Sequence, residues 1–213
     1  MTQRPPTPCK RCGTCCEKGG PALHREDRQL VDSGLIPARC LFTIRKGELV
    51  RDNVKEAMLP IAGEVIKIKG QQGRWTCLFY DRDQQACGIY DHRPLECRVL
   101  NCRDTRQIEA VYATARLARE DLLGQTEGLW DLIRDHEVRC GYDRLSGLVA
   151  EWGGPGRLKT EAAILEVLRY DAHLRRLTVE TGGLDDGMLD FIFGRPLAET
   201  IGMFDLRLVK DTD

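Results

Sequence analysis

Hydrophobic and polar positions change their rhythm three times along the chain. Residues 1–8 carry Pro5, Pro6 and Pro8, which block helix, so they read as an extended tail. After the turn forced by Gly19-Gly20-Pro21, good helix formers run from His24 to Ser33, with Gly34 as the closing residue and Pro37 beyond it. From 40 to 90 the pattern turns to short β-prone runs at 41–44, 48–51, 64–69 and 74–80. Gly70 and Gly73 separate the last two, and residues 81–85 form a turn. These runs predict a small, irregular antiparallel sheet.

From Asp104 the period becomes helical. Ile108, Val111, Tyr112, Ala115, Ala118 and Leu122 recur at spacings of three and four and predict one helix ending at Gly124. A second helix holds Leu129, Trp130, Leu132 and Ile133 and stops before Gly141. A third runs from Thr160, as N-cap, through Ile164, Leu165, Leu168, Ala172 and Leu177 to Gly182-Gly183. A shorter one contains Met188, Leu189, Phe191 and Ile192 and closes at Gly194, and the glycine-rich stretch 153–156 reads as a linker. The fold class expected is therefore α+β: a small irregular lobe with a few short antiparallel strands, too meagre a sheet to stand without cross-links, over 1–103. A mostly α-helical region, 104–213, is expected to pack on it.

With 213 residues the chain is long enough to bury a sizeable core. Its formal net charge of −1 gives no electrostatic case for nucleic acid. Arg93, Arg98, Arg103, Arg106, Arg116 and Arg119 make a basic stretch, but Glu96, Asp104, Glu109 and Glu120 dilute it. No apolar run reaches the ~18 residues of a membrane span, and the first residues lack a secretory apolar segment. A cytoplasmic location is expected, where thiols stay reduced. Ten cysteines in such a compartment read as metal ligands rather than disulfides.

Their spacing sharpens that reading. Cys9, Cys12, Cys15 and Cys16 put four thiols into eight residues, in a stretch too rich in Lys, Pro and Gly to bury them. Cysteines two residues apart on a tight turn can point at one centre, as in zinc and iron–sulfur sites. The adjacent pair Cys15-Cys16 is expected to serve two centres, or opposite sides of one cluster. A second set follows at Cys77, Cys87, Cys97 and Cys102, with intervals suited to thiols gathered by tertiary structure. The C-x2-C-x2-C run with a remote fourth thiol favours an iron–sulfur cluster, and zinc is the alternative. Arg93 and Arg98 are candidate donors around the thiolates, offsetting their charge. Cys40 and Cys140 stand outside both sets and read as ordinary half-buried thiols. His92 is not favoured as a ligand, and His24, His136 and His173 read as surface or partly buried helix residues.

Taken together, the C-x2-C-x2-C-C run, Cys77, Cys87 and the stretch Ile89-Tyr90-Asp91-His92-Arg93-Pro94-Leu95-Glu96-Cys97-Arg98 resemble the bacterial cysteine-cluster proteins described as zinc- or iron-chelating. The resemblance covers roughly residues 9–103 and implies metal binding through the eight clustered cysteines. In the Tyr90–Cys97 stretch it puts weight on Tyr90, Arg93, Pro94 and Cys97. Flagellin lysine N-methylases carry a similar cluster, so methyl transfer falls within the wider family's range. Residues after 103 supply no recognisable methyl-donor site, and there is no G-x-G-x-x-G, phosphate loop or C-x3-C-x2-C. The expectation is an electron- or iron-carrying accessory to a protein partner, with a structural zinc interaction module as the alternative.

Overall fold

In the computed structural model the residues described are 9, 11–72, 74–152 and 156–207. The expected tail at 1–8, Gly73, and residues 153–155 of the expected linker lie outside them. In chain order the elements begin with α1 (Thr14–Glu17), α2 (Arg28–Asp32), β1 (Leu41–Ile44) and β2 (Leu49–Asp52). Next come β3 (Ala57–Pro60), β4 (Val65–Ile68), β5 (Tyr80–Asp81) and β6 (Ala86–Cys87). The helices α3 (Leu95–Val99), α4 (Arg106–Val111), α5 (Arg119–Leu123), α6 (Leu129–Cys140) and α7 (Tyr142–Glu151) follow. The chain then forms α8 (Arg157–Glu180), α9 (Leu189–Phe193) and α10 (Leu197–Thr200). This is an α+β fold, with short antiparallel strands early and helices later.

Two compact units divide the chain. The first takes the chain up to Leu41 together with Val65–Leu122, and the second takes Phe42–Glu64 and the chain from Leu123 onward.

In the first unit the extended segment 21–25 is the backbone spine. Leu23 N donates to Ile66 O at 2.9 Å and Ile68 N to Pro21 O at 3.1 Å, which ties the segment to β4. On its other side Arg25 N donates to Ala115 O at 2.8 Å and Leu117 N to Leu23 O at 3.0 Å. Leu23, Ile36, Leu41, Ile66, Ile68 and Leu117 are buried in this unit. That pairing explains why the single helix expected from 104 to 124 is two. Ala115 adopts φ 44, and the chain from 115 to 117 gives its backbone groups to Leu23 and Arg25, so α4 and α5 stand on either side of a break. The helix expected over 24–33 is present as a 3-10 turn at Arg25–Asp27 leading into α2, with Gly34 at φ 76 after it. His24 starts it: His24 N donates to Asp27 Oδ2 at 2.9 Å, and Asp27 N returns to His24 O at 2.8 Å. β4 extends past its end, where Leu78 N donates to Lys69 O at 3.0 Å and Gly70 bridges to Cys77. β5 and β6 form a hairpin with Tyr80 opposite Cys87, and Asp81 Oδ1 accepts from Asp83 N and Gln84 N in its turn, each at 2.9 Å.

The second unit has its own core. Cys140, Tyr142, Leu145, Ile164, Val167, Leu168, Leu197 and Ile201 pack together from α6, α7, α8 and the α10 region. Helix α7 was not expected, because Gly141 reads as a stop. The glycine is extended, at φ −65 and ψ 147, and serves as the end of α6 and the start of α7 at once. Gly156, not Thr160, caps α8; the Thr160 hydroxyl instead donates to Gly156 O within the first turn, at 3.4 Å. The β2–β3 hairpin pairs Leu49 with Pro60 and Asp52 with Ala57. β3 escaped the hydrophobic pattern because it carries Met58, which is exposed, and ends in proline. Gly194 closes α9 at φ 75, where an added Cβ would lie 2.8 Å from the buried Arg45 side chain.

Candidate metal centre

The first thiol group is built on one tight turn. Gly13, at φ 79, starts α1, and Glu17 N donates to Gly13 O at 2.9 Å. The glycine is required twice over: its φ is left-handed, and a Cβ there would come within 1.9 Å of the Tyr80 hydroxyl. Cys12 lies just before the turn, with Sγ 3.4 Å from Thr14 Oγ1, and the hydrogen bond with that hydroxyl lowers the Cys12 thiol. Cys15 and Cys16 lie inside the turn. Their sulfurs lie 4.0 Å apart rather than diverging as neighbours on a helix usually do.

A backbone latch joins this turn to the second group. Cys77 N donates to Cys16 O at 2.7 Å. The loop that holds Cys77 is shaped by the Gln71 side-chain amide, which donates to Tyr80 O at 2.6 Å and to Cys77 O at 3.3 Å. Cys87 sits on β6 opposite Tyr80, and Cys97 lies in α3. The first turn of α3 is anchored by Leu95 N, which donates to Asp27 Oδ1 at 2.8 Å. Between the hairpin and α3, Tyr90 is covered by two guanidinium groups, Arg93 at 3.8 Å and Arg11 at 4.0 Å from the ring centroid. Arg93 Nε also donates to Tyr90 O at 2.8 Å. Arg11 thus ties the N-terminal run to the Tyr90 turn, a role its position in the sequence does not announce.

Electrostatics show which thiols share one neighbourhood. Hydrogen bonding with Cys16 draws the Cys15 thiol down to about 6, with the Arg93 charge adding to the effect. Cys16 is pushed up by that same hydrogen bond, then by burial and by Cys15, Cys77 and Cys97. Burial raises Cys77, with Cys87 and Cys15 adding to it. Burial also raises Cys97, followed by Cys77, Cys15 and Cys87. Like charges act on one another this way at short range, so Cys15, Cys16, Cys77, Cys87 and Cys97 lie in one neighbourhood, with Cys12 next to Cys15. Among the described residues no three of their sulfurs come within 4.8 Å of one another. Cys9 and Cys102 are exposed; the Cys9 sulfur accepts from Arg11 N at 3.4 Å.

The two arginines proposed from sequence have different surroundings. Arg93 acts on Cys15, whereas Arg98 is engaged by Glu26 and by Asp27, the latter at 3.8 Å. His92 is exposed. His24 is not a surface residue: it is 1% exposed, with Nδ1 2.8 Å from Thr114 O. All ten cysteines are free thiols, and Cys40 and Cys140 are buried.

A second set of metal-capable atoms lies in the other unit. His136, Cys140 and Asp171 bring one ligand atom each within 4.8 Å of one another, all buried. Apart from His136 Nδ1, which is buried without a hydrogen-bond partner, their polar atoms are engaged within the protein. Asp171 Oδ1 accepts from His136 Nε2 at 2.7 Å and from Arg175 Nε at 3.0 Å, Oδ2 accepts from Leu197 N at 3.0 Å, and the Cys140 thiol donates to Val167 O at 3.8 Å. Burial pushes Cys140 up to about 12. With Arg175 seated on the carboxylate, this set is a polar staple joining α6 and α8.

A constellation of thiols from three separated segments, with cationic side chains beside them, defines a cysteine-based metal-binding protein. Residues 8–116 match the CxxCxxCC family, whose description is "Putative zinc- or iron-chelating domain". The match takes in just over half of the chain, and the chain belongs to that family. Comparison with curated proteins gave no match, and comparison with solved structures gave none. Among the described residues, no helix is long and apolar enough to cross a membrane.

Proposed function

We propose that the chain holds an iron–sulfur cluster on thiols from both cysteine groups and serves a partner protein as an electron- or iron-carrying accessory. The observation that carries this reading is the Cys16–Cys77 backbone latch at 2.7 Å, which sets the two cysteine groups close enough for Cys77 and Cys97 to act on Cys16, and for Cys15 to act on Cys77 and Cys97. The donors fit such a group. A tetrahedral zinc ion and an iron–sulfur cluster each take four thiolates. Among the described residues no three of these sulfurs come within 4.8 Å of one another, a spacing that suits several irons better than one ion. Bound there, the cluster would supply one-electron chemistry. The chain's own part is to gather the thiols, to offset their charge through Arg93, and to hold Arg93 in place by its stack on Tyr90.

A partner is supported by the surface beside the site. Trp75 is 71% exposed and Leu78 39% exposed, and both flank Cys77. Apolar side chains of that size next to a metal centre give a docking protein something to cover. Ten free thiols suit a reducing, cytoplasmic setting. Anaerobic purification followed by metal analysis and optical spectroscopy tests the reading. A brown protein containing iron, with broad absorption near ~400 nm that bleaches on reduction, is the expected result. Colourless protein with stoichiometric zinc after anaerobic reconstitution would replace it with a structural zinc module.

A further inference from the structure

Charge around the thiol group leaves a question that the arginines alone do not answer. Five thiols in one neighbourhood bring a large negative charge when they ionise to bind metal. Arg93 supplies one cation, but Arg98 is spent on Glu26 and Asp27.

Backbone geometry brings another cation to the same place. Lys67 lies on β4, directly across the bridge from Ala22. Ala22 N donates to Glu96 Oε2 at 2.7 Å, and Glu96 immediately precedes Cys97 on α3. Further along the same strand, Gly70 bridges to Cys77 and Lys69 O accepts from Leu78 N. Lys67 is thus strung between the loop of Cys77 and the helix of Cys97, and Cys77 acts on Cys97. Burial lowers the Lys67 ammonium, the Glu96 carboxylate opposes that, Arg116 adds to the lowering, and Cys97 and Cys77 oppose it. The charges facing it are therefore two thiols and one carboxylate against one guanidinium.

From this juxtaposition we infer that Lys67 is the internal counter-cation of the metal centre, a positioning residue whose charge offsets the negative charge of the metal-bound thiolates beside it. The inference rests on the metal-binding reading above. Lys67 touches the centre through its charge, so arginine at that position preserves the effect, while an uncharged chain of similar length removes it.

The experiment uses the full chain and the variants Lys67→Met, Lys67→Arg and Arg98→Gln. Zinc affinity is measured by chelator competition, and the reduction potential on the same proteins reconstituted with iron and sulfide under anaerobic conditions. Lys67→Met should weaken zinc binding about 10- to 100-fold and lower the potential, Lys67→Arg should restore both, and Arg98→Gln should leave both near wild type. A wild-type protein that binds metal, with Lys67→Met binding as tightly and at the same potential, would overturn the inference and leave the metal centre standing. Equal losses in Lys67→Met and Lys67→Arg would also overturn it, since they mark a packing role. A wild-type chain that binds neither zinc nor iron would remove the metal centre itself, and the role of Lys67 with it.

Discussion

Replacing Gly13 with alanine separates a strained turn from an assembled thiol site. Three glycines form a graded series. At Gly63 an added Cβ meets nothing within 4 Å and no left-handed φ is involved, so Gly63→Ala should change stability by less than about 0.5 kcal/mol. Gly34 also has open space, but its φ of 76 is left-handed, so alanine there should cost about 1–2 kcal/mol. Gly13 combines a φ of 79 with Tyr80 atoms at 1.9, 2.3 and 2.9 Å from the added carbon. Tyr80 is 6% exposed, so its ring has little room to retreat, and overpacking of that kind costs about 1–3 kcal/mol more. The total for Gly13→Ala is about 2–5 kcal/mol. Because the displaced turn carries Cys15 and Cys16 and follows directly on Cys12, part of that cost falls on metal affinity, where each 1.4 kcal/mol is about tenfold. Denaturant unfolding of the metal-free chain and chelator competition with zinc read the two quantities. Gly13→Ala should lose at least about tenfold in zinc affinity, and Gly34→Ala should keep wild-type affinity. Identical behaviour of the two variants would refute the Tyr80 contact as the reason for this glycine.

Other changes sort the cysteines and test the second unit. Cys16→Ser, Cys77→Ser and Cys97→Ser should each abolish stoichiometric metal binding, whereas Cys40→Ser and Cys140→Ser should retain it; metal content by elemental analysis decides, and equal damage from all five would contradict the grouping. His136 is pushed below its ordinary value of 6.5, chiefly by burial. Below that value the unfolded chain takes up a proton that the folded chain resists, so stability is full above the unfolded pKa and falls as pH drops through 6.5. Thermal unfolding between pH 8 and pH 5 should show this loss, with a flatter profile in His136→Gln, and identical profiles would refute it. Arg45 is fully buried, 3.5 Å from Glu137, and donates to Cys140 O at 3.2 Å. Arg45→Met leaves Glu137 without that cation and should cost about 3 kcal/mol in denaturant unfolding; an unchanged midpoint would show that the ion pair contributes nothing net.

Much of this arrangement was readable where local chemistry dominates. The thiols announce themselves because C-x2-C-x2-C-C has no packing use in a polar stretch, and α6 and α8 follow from apolar spacing of three and four. What the sequence hid depends on partners distant along the chain. The break at Ala115 exists because Leu23 and Arg25 claim that backbone, and nothing near residue 115 signals it. Gly141 looks like a terminator but is extended and restarts a helix. Arg98 and Lys67 are both basic residues, and only tertiary pairing assigns Arg98 to Glu26 and Asp27 and sets Lys67 across from Ala22, whose N–H holds the Glu96 that precedes Cys97. The cover of Arg11 on Tyr90 likewise spans residues far apart in sequence.

X-ray absorption at the iron and zinc edges of the full chain, purified and held without oxygen, tests the central claim most directly. It counts the sulfur neighbours of whatever metal is bound and detects a second iron near the first. An iron edge with an all-sulfur first shell and an iron–iron scatterer, both lost in Cys16→Ser and in Cys77→Ser, is the predicted result. Loss in both variants is essential, because it shows one centre drawing on both cysteine groups. Zinc with four sulfurs from one group alone, unaffected by the variant in the other group, would contradict it.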